Sequence, residues 1–295
     1  MSTIKGTTRV CGLIGNPVEH SISPLIHNTL AQFCGIDLAY VTFKVEADSV
    51  NNAVTGAYAL NVLGMNVTVP HKQAVIEKLS CIDPLAEAIG AVNTLVRTDN
   101  GYKGYNTDII GLGRELEDAG VDLVGREVII LGAGGAARAI AFLCADKGAS
   151  KVYILNRTLE KAASIAKAVN TYFAGENACD IVTAMNIADY DKLESNDYIV
   201  IQTTSVGLHP NDDDVVIADE AFYQKIAVGV DIIYNPAKTK FMKLVEAQGK
   251  PAYNGLKMLL YQGVAAFELW NDMKVPQSAV DEVYDRMKKE LGIVE

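Results

Sequence analysis

Short apolar runs rich in Val, Ile and Leu alternate along most of this chain with stretches whose apolar residues recur at helical spacing, a pattern that predicts βαβ units and an α/β fold. Arg9 to Ile14 reads as a first strand. Ser23 followed by Pro24 reads as an N-cap with proline at the first helical position, in a helix that Gly35 closes. Ala39 to Val45 is a second strand, and Asp48 caps a helix carrying Val50, Val54 and Tyr58. From Met65 to Val69, alternation sets Asn66 and Thr68 on one side of a strand and Val67 and Val69 on the other. Pro70 stops that ladder, leaving Lys72 at the strand's carboxyl end. Ala91 to Val96 is a further strand with an inward-facing polar candidate in Asn93. After the turn Asp99-Asn100-Gly101, a helix begins near Asp108 and ends by Gly120.

In the next part of the chain Val128-Ile129-Ile130-Leu131 breaks into Gly132-Ala133-Gly134-Gly135-Ala136 and resumes as a small-residue helix. Such a strand, turn and helix suits a dinucleotide pyrophosphate, because glycines let the backbone approach the phosphates and the helix N-terminus offers N–H groups and a positive dipole end. The same glycines would also serve merely to pack a helix closely on a strand. The following strand, Lys151 to Leu155, ends in Asn156-Arg157-Thr158, where an NAD-selective site would place an acidic residue for the ribose 2′-hydroxyl. Arg157, Lys161 and the Thr158 hydroxyl form instead a pocket for a 2′-phosphate, and so for NADP(H). The plainer alternative makes Thr158 an N-cap and the two cations a solvated helix start, although cations there oppose the helix dipole. A helix from Thr158 to Val169, strands near Ile181 to Thr183, Tyr198 to Gln202 and Ala227 to Ile233, and a helix from Thr239 to Gln248 continue the alternation. From Asn254 a long helical region runs to Glu295 with no strand left to pair, so it is expected to pack back on the first domain.

A length of 295 residues suits about two domains. Their boundary is read near Asn106 to Asp108. With 49% hydrophobic and 21% charged residues there is ample material for two cores. The net charge of −10, with no basic block, argues against nucleic-acid and anionic-membrane partners, so any anion site must be built locally. The longest apolar window, Val128 to Ala145, carries Arg138 and several glycines and does not read as a membrane span. Met1-Ser2-Thr3-Ile4-Lys5-Gly6 holds no apolar signal region, which leads to the expectation of a cytoplasmic protein. Cys11, Cys34, Cys81, Cys144 and Cys179 are widely spaced, expected to be reduced and mostly buried. His20, His27, His71 and His209 lack metal-ligand spacing, so no metal is expected.

Three places carry candidate chemistry. On the loop after the first strand, Ser23 has a use as a cap and Ser21 has none, and two hydroxyls at i and i+2 there can bind a ligand carboxylate. Lys72 sits where open α/β sheets bind ligands, with polar groups running up to it. Asp108 reads either as a functional carboxylate or as a first-turn acid favoured by the helix dipole.

Taken together, the stretches Gly15-Asn16-Pro17, Ser21-x-Ser23-Pro24, Asn66-Val67-Thr68-x-Pro70-x-Lys72, Ala91-Val92-Asn93-Thr94, Gly104-x-Asn106-Thr107-Asp108, Gly132-Ala133-Gly134-Gly135-Ala136, Asn156-Arg157-Thr158, Tyr234-x-Pro236 and Gly255-x-x-Met258-Leu259-x-x-Gln262 resemble the shikimate dehydrogenase family in consistent order. The resemblance implies reversible NADP-dependent reduction of 3-dehydroshikimate to shikimate, a step of aromatic amino-acid (chorismate) biosynthesis. It implies a substrate domain of residues 1–107 and 256–295, completed by carboxyl-terminal helices, around a Rossmann-type NADP domain of residues 108–255 with a parallel sheet. By matching position, Ser21, Ser23 and Tyr234 would hold the substrate carboxylate, and Thr68, Lys72, Asn93, Asp108 and Gln262 would surround its ring hydroxyls. Gly132, Ala133, Gly134, Gly135, Ala136, Asn156, Arg157, Thr158, Lys161 and Thr203 would hold the cofactor, with Ile232, Gly255 and Met258 bordering the nicotinamide. Gln202 stands where the family more often has Asn, and Lys257 where a small residue is common.

Lys72 and Asp108 would form the catalytic pair, since a ketone oxygen gaining hydride needs both a cation and a proton as its charge develops. The nearest alternative is a quinate/shikimate dehydrogenase using NAD or both cofactors and taking an extra ring hydroxyl; Arg157 speaks against NAD, and Ser21 and Ser23 together suit shikimate, but neither excludes quinate. A folate reductase or acid decarboxylase sharing the glycine turn gives no reason for Lys72 and Asp108. A catalytically silent NADP-sensing regulatory module would be expected to have lost one of that pair. The partners expected are thus a small-molecule substrate and NADP, in a monomer or homodimer.

Overall fold

The computed structural model describes residues 4–174 and 180–293. The expectations for Met1 to Thr3, for Cys179 and for the end of the last helix at Glu295 lie outside the described residues. The chain divides into two compact units, residues 1–111 with 259–295, and residues 112–258.

The first unit opens with β1 (Arg9–Gly15), α1 (Ser23–Phe33), β2 (Leu38–Lys44), α2 (Val50–Ala59), β3 (Gly64–Val67), β4 (Cys81–Ile82), α3 (Pro84–Ile89), β5 (Thr94–Thr98), β6 (Gly101–Tyr105) and α4 (Thr107–Asp118). Its sheet has the order β2-β1-β3-β5-β6-β4. Strand β1 is parallel to β2 and β3, but β5 is antiparallel to both β3 and β6. The Asp99-Asn100-Gly101 turn therefore closes a hairpin whose second strand the sequence did not announce, because Gly101 to Tyr105 is short and interrupted by Lys103 and Gly104.

The second unit continues through β7 (Glu127–Leu131), α5 (Gly135–Asp146), β8 (Lys151–Asn156), α6 (Leu159–Phe173), β9 (Val182–Asn186), β10 (Tyr198–Gln202), α7 (Glu220–Tyr223), β11 (Ile226–Asp231), α8 (Lys240–Ala247) and β12 (Ala252–Asn254). All its pairings are parallel, in the order β9-β8-β7-β10-β11-β12. This is the doubly wound Rossmann order, and its strands are near-continuous apolar runs because helices cover both faces. Strand β12 corrects the expectation that no strand remained after residue 248. Three residues suffice there, because β11 supplies a ready edge.

The final region is two helices rather than one, α9 (Leu256–Asn271) and α10 (Gln277–Glu290), since Pro276 cannot continue a helix. Helices α1 and α10 pack together in the first unit, as the sequence pattern led one to expect. Both unit boundaries fall inside helices, α4 and α9. Among the described residues no helix is long and apolar enough to cross a membrane.

Two caps differ from expectation. Ile22, not Ser23, occupies the N-cap of α1, and Ser23 is its first helical residue. Asp48 sits within a single 3-10 turn ahead of α2, whose N-cap is Ser49, and its carboxylate accepts from the Ser49 hydroxyl. Both short-range signals were right about a helix start and wrong by one or two residues, the usual limit of such reading.

The first unit's core is tightest around the single tryptophan. Trp270 Nε1 donates to the Leu95 carbonyl at 2.9 Å, and a Cβ added at Gly64 would lie 2.1 Å from that nitrogen. Gly64→Ala is therefore expected to cost roughly 1–3 kcal/mol through overpacking. A lower thermal midpoint and a red-shifted tryptophan fluorescence would show it, and an unchanged spectrum would contradict it.

Candidate active site

The strand directions of the first unit bring its polar residues together. Because β1 and β3 are parallel, the loops carrying Ser21 and Lys72 leave the sheet at the same end. Because β5 is antiparallel, with Thr94 opposite Asn66, its first residues return to that end. Strand β6 pairs Tyr105 with Thr94, so the chain also leaves β6 there and enters α4. Three strand ends and one strand beginning thus converge at a single edge.

There Lys72 Nζ donates to Asp108 Oδ2 at 2.6 Å, and Asn93 Nδ2 donates to Asp108 Oδ1 at 2.8 Å. The Lys72 and Asp108 side chains are 31% and 19% exposed, so the pair is shielded yet reachable by a ligand. Such a half-exposed ion pair contributes little to stability, about 1 kcal/mol or less, and its value is positional. Asp108 does not serve as a dipole-compensating acid alone: Asn106 Oδ1 accepts from the Asp108 N–H at 3.1 Å, leaving both Asp108 oxygens for Lys72 and Asn93.

Neither serine caps α1 with its side chain, against the expectation for Ser23. Ser21 Oγ accepts from the Ser23 N–H at 3.2 Å, while no side chain caps α1. Ser23 is buried, 8% exposed. Thr68 lies against β1, with its methyl group 2.3 Å from where a Cβ on Gly15 would stand, so that position admits only glycine. Gln262, on α9, donates to the Leu259 carbonyl at 2.9 Å, and no bond joins it to the Lys72 cluster. Tyr234 belongs to the second unit, where burial raises its phenol above the ordinary range.

In the second unit the strand order reverses between β7 and β10, the place where doubly wound sheets bind nucleotides. Gly132 turns the chain there at φ +108, a left-handed conformation that side chains rarely adopt, and Thr203 Oγ1 donates to the Leu131 carbonyl at 2.7 Å. Gly134 and Gly135 face open space, with nothing within 4 Å of an added Cβ, and no side chain caps α5. An open, uncapped helix start at the switch point fits a pyrophosphate. Thr158 is the N-cap of α6 by position, yet its hydroxyl makes no cap bond, and Arg157, Thr158 and Lys161 are all exposed. Those groups fit the 2′-phosphate of NADP. Asn156 Nδ2 instead donates to the Thr158 carbonyl at 2.8 Å, shaping the turn.

The loops after β10 and β11 are tied by a buried hub. Asp231 accepts from Thr239 Oγ1 at 2.6 Å, from the Ile233 N–H at 3.0 Å and from Gln202 Nε2 at 3.3 Å, while Gln202 also donates to the Val206 carbonyl. Burial pushes the Asp231 carboxyl up to about 6 despite those donors. The longer Gln202 thus has partners on both loops, and the hub fixes the segments that carry Thr203 and Ile232. A Cβ on Gly255 would lie 2.1 Å from the Ile232 carbonyl oxygen, so that glycine permits the two backbones to touch. Lys257 pairs with Asp118 within the same unit. Met258 is half-buried at the start of α9.

Sequence reasoning passed over Tyr40, Thr94, Thr107 and Glu115, which are buried polar or titratable groups in apolar or motif contexts. Among the described residues no cluster of His, Cys, Asp or Glu could hold a metal ion. Glu115 is 2% exposed, with Oε2 lacking a partner, and burial pushes its carboxyl up to about 8, against the weaker pull of Lys257 and a Met258 backbone bond. Since the folded carboxyl holds its proton to higher pH than the unfolded one, stability falls as pH rises between about 4.5 and about 8. Glu115→Gln is therefore expected to match the parent below that window and to exceed it above by a few kcal/mol. Denaturant midpoints measured at pH 4.5 and 8.5 check this, and an equal gap at both values would contradict it.

Comparison with known proteins agrees with this geometry. Residues 13–95 match the family model described as shikimate dehydrogenase substrate binding domain, residues 115–236 that of shikimate / quinate 5-dehydrogenase, and residues 255–283 that of the shikimate 5'-dehydrogenase C-terminal domain. A shikimate dehydrogenase (NADP(+)) of Moorella thermoacetica is 41% identical over 96% of this chain and 95% of its own length. A crystal structure of shikimate 5-dehydrogenase from Listeria monocytogenes, in complex with shikimate and NAD, has a TM-score of 0.88 at 33% identity, covering 97% of this chain and 99% of that one. A shikimate dehydrogenase in complex with NADP+ has a TM-score of 0.86 at 36% identity, covering 97% and 98%. With strand order, glycine turn and Lys72–Asp108 pair all in place, the chain belongs to the shikimate dehydrogenase family.

Proposed function

We propose that this protein catalyses the reversible reduction of 3-dehydroshikimate to shikimate with NADPH. The observation that carries the reading is the Lys72–Asp108 pair at 2.6 Å, backed by Asn93, in the unit whose sequence matches the substrate-binding model. Curated relatives named as NADP(+)-dependent, together with Arg157, Thr158 and Lys161 exposed after β8, support NADP as the cofactor.

When bound, the reduced nicotinamide supplies the hydride that reaches the carbonyl carbon. Lys72 stabilises the developing negative charge on the carbonyl oxygen and gives it a proton, which makes the hydroxyl of shikimate. Asp108 aims the Lys72 ammonium, and in the reverse direction Lys72 takes that proton back. Asn93 fixes the carboxylate and offers polar atoms to the ring hydroxyls beside Thr68 and Gln262. Ser21, on the loop after β1, and Ser23, at the start of α1, are the groups proposed for the substrate carboxylate.

The test is loss of NADPH absorbance on adding 3-dehydroshikimate, with NADH and 3-dehydroquinate as comparison cofactor and substrate. Turnover with the NADPH and 3-dehydroshikimate combination is expected, and its absence would end the proposal. Lys72→Ala should lower turnover by at least about a hundredfold while changing substrate affinity much less. Arg157→Ala should weaken NADPH binding by about tenfold and leave NADH binding unchanged, since only the former carries the 2′-phosphate. Equal losses for both cofactors, measured by titration, would remove Arg157 from that role.

A further inference from the structure

Behind the Lys72–Asp108 pair runs a buried chain of polar side chains with one direction. Two backbone groups set it. The Thr107 N–H donates to Asn93 Oδ1 at 2.7 Å, which turns Asn93 Nδ2 towards Asp108. The Asn93 carbonyl accepts from Asn66 Nδ2 at 3.4 Å, which turns Asn66 Oδ1 towards Tyr40, whose hydroxyl donates to it at 2.8 Å. With both amides so oriented, the Thr94 hydroxyl accepts from Asn66 Nδ2 at 3.1 Å, and its proton serves Asn93 Oδ1, either directly at 3.0 Å or through Thr107 Oγ1, which lies 3.0 Å away and can itself donate to Asn93 Oδ1 at 3.1 Å.

Every link from Tyr40 through Asn66, Thr94 and Asn93 to Asp108 therefore donates in the same sense and ends on the carboxylate. Asn66, Asn93, Thr94 and Thr107 are all buried, and Thr94 and Thr107 are 0% exposed, so water does not substitute for any member. Tyr40 is 2% exposed, and burial holds its phenol well above the ordinary range, which keeps it a donor. Its ring stacks at 4.2 Å on His27, a fully buried imidazole with neither nitrogen bonded, which serves here as a flat apolar support.

We infer that Thr94 is a positioning residue for the proposed reaction: its hydroxyl joins the Tyr40–Asn66 half of the chain to Asn93, and through Asn93 it holds Asp108 and Lys72 in line. The inference rests on the reading of Lys72 and Asp108 as the reacting pair. Donors arranged in one direction polarise one another in a dry interior, and removal of the middle member leaves one Asn66 amide hydrogen without its partner and takes from Asn93 Oδ1 one of its donors, the Thr107 N–H and hydroxyl remaining. Were the chain only a way of satisfying buried polar atoms, its loss would lower stability and leave the turnover of folded enzyme alone.

Thr94→Val keeps the side-chain shape and removes the hydroxyl. With the full-length protein, kcat for 3-dehydroshikimate is expected to fall about tenfold, while KM and NADPH affinity stay within about twofold. Thr94→Ser, which restores the hydroxyl, should recover most of kcat, and Tyr40→Phe should give a smaller loss in the same sense. Unchanged kcat in Thr94→Val, or a Ser variant as impaired as the Val variant, overturns the inference. Should Thr94→Val fail to fold, Tyr40→Phe decides, and full kcat there overturns it as well. A crystal structure of either variant gives a readout apart from turnover: Asn93 and Lys72 still bonded to Asp108 as before would refute the role. An unaltered protein without activity would sink the proposed function instead.

Discussion

The polar cluster of the first unit turns on how one carboxylate is held. Asp108 accepts from Lys72 on one oxygen and from Asn93 on the other, and its own N–H is taken by Asn106. A carboxylate bonded on both oxygens has little freedom to rotate, so the ammonium it holds points in one direction. That geometry is available only because β5 runs against β3. Had β5 been parallel, Asn93 would lie at the far end of the sheet, and the Lys72 and Asp108 loops would have no amide between them.

The second unit solves a different problem with the same economy. Gly132 turns at φ +108, Gly134 and Gly135 face open space and no side chain caps the start of α5, which leaves the backbone N–H groups and room that a pyrophosphate needs. Its loops must nevertheless be firm. The Asp231, Gln202 and Thr239 hub supplies that firmness from below, where the apolar strands β7, β10 and β11 exclude water. A buried carboxylate is costly, yet here each donor it meets belongs to a segment that must be fixed.

Much of this was legible from particular residues. The β7 run and its glycine turn, the Arg157 signal after β8, and Lys72 on the loop after β3 follow from local rules that the tertiary structure does not alter. Local rules fared less well wherever a residue had two possible uses. Ser23 followed by Pro24 obeys capping statistics, yet Ile22 takes the N-cap and Ser21 provides the turn bond, since the competing geometries differ by one residue. Gly101 to Tyr105 and Ala252 to Asn254 carry too few apolar residues to read as strands, and become strands because a neighbour offers an unpaired edge.

The order of motifs along the chain determined by itself the two-part α/β plan, the glycine turn after β7 and the identity of the polar residues near each strand end, because each rests on short-range sterics and periodicity. Only the tertiary structure decided which of those residues meet. Tyr40 and Asn66 come from β2 and β3, and Thr94 with its neighbour Asn93 from the start of β5, and nothing local distinguishes a tyrosine in an apolar run from ordinary core until the sheet lays its hydroxyl against an amide. Hydrogen bonds between distant segments depend on register and strand direction, which are properties of the assembled sheet.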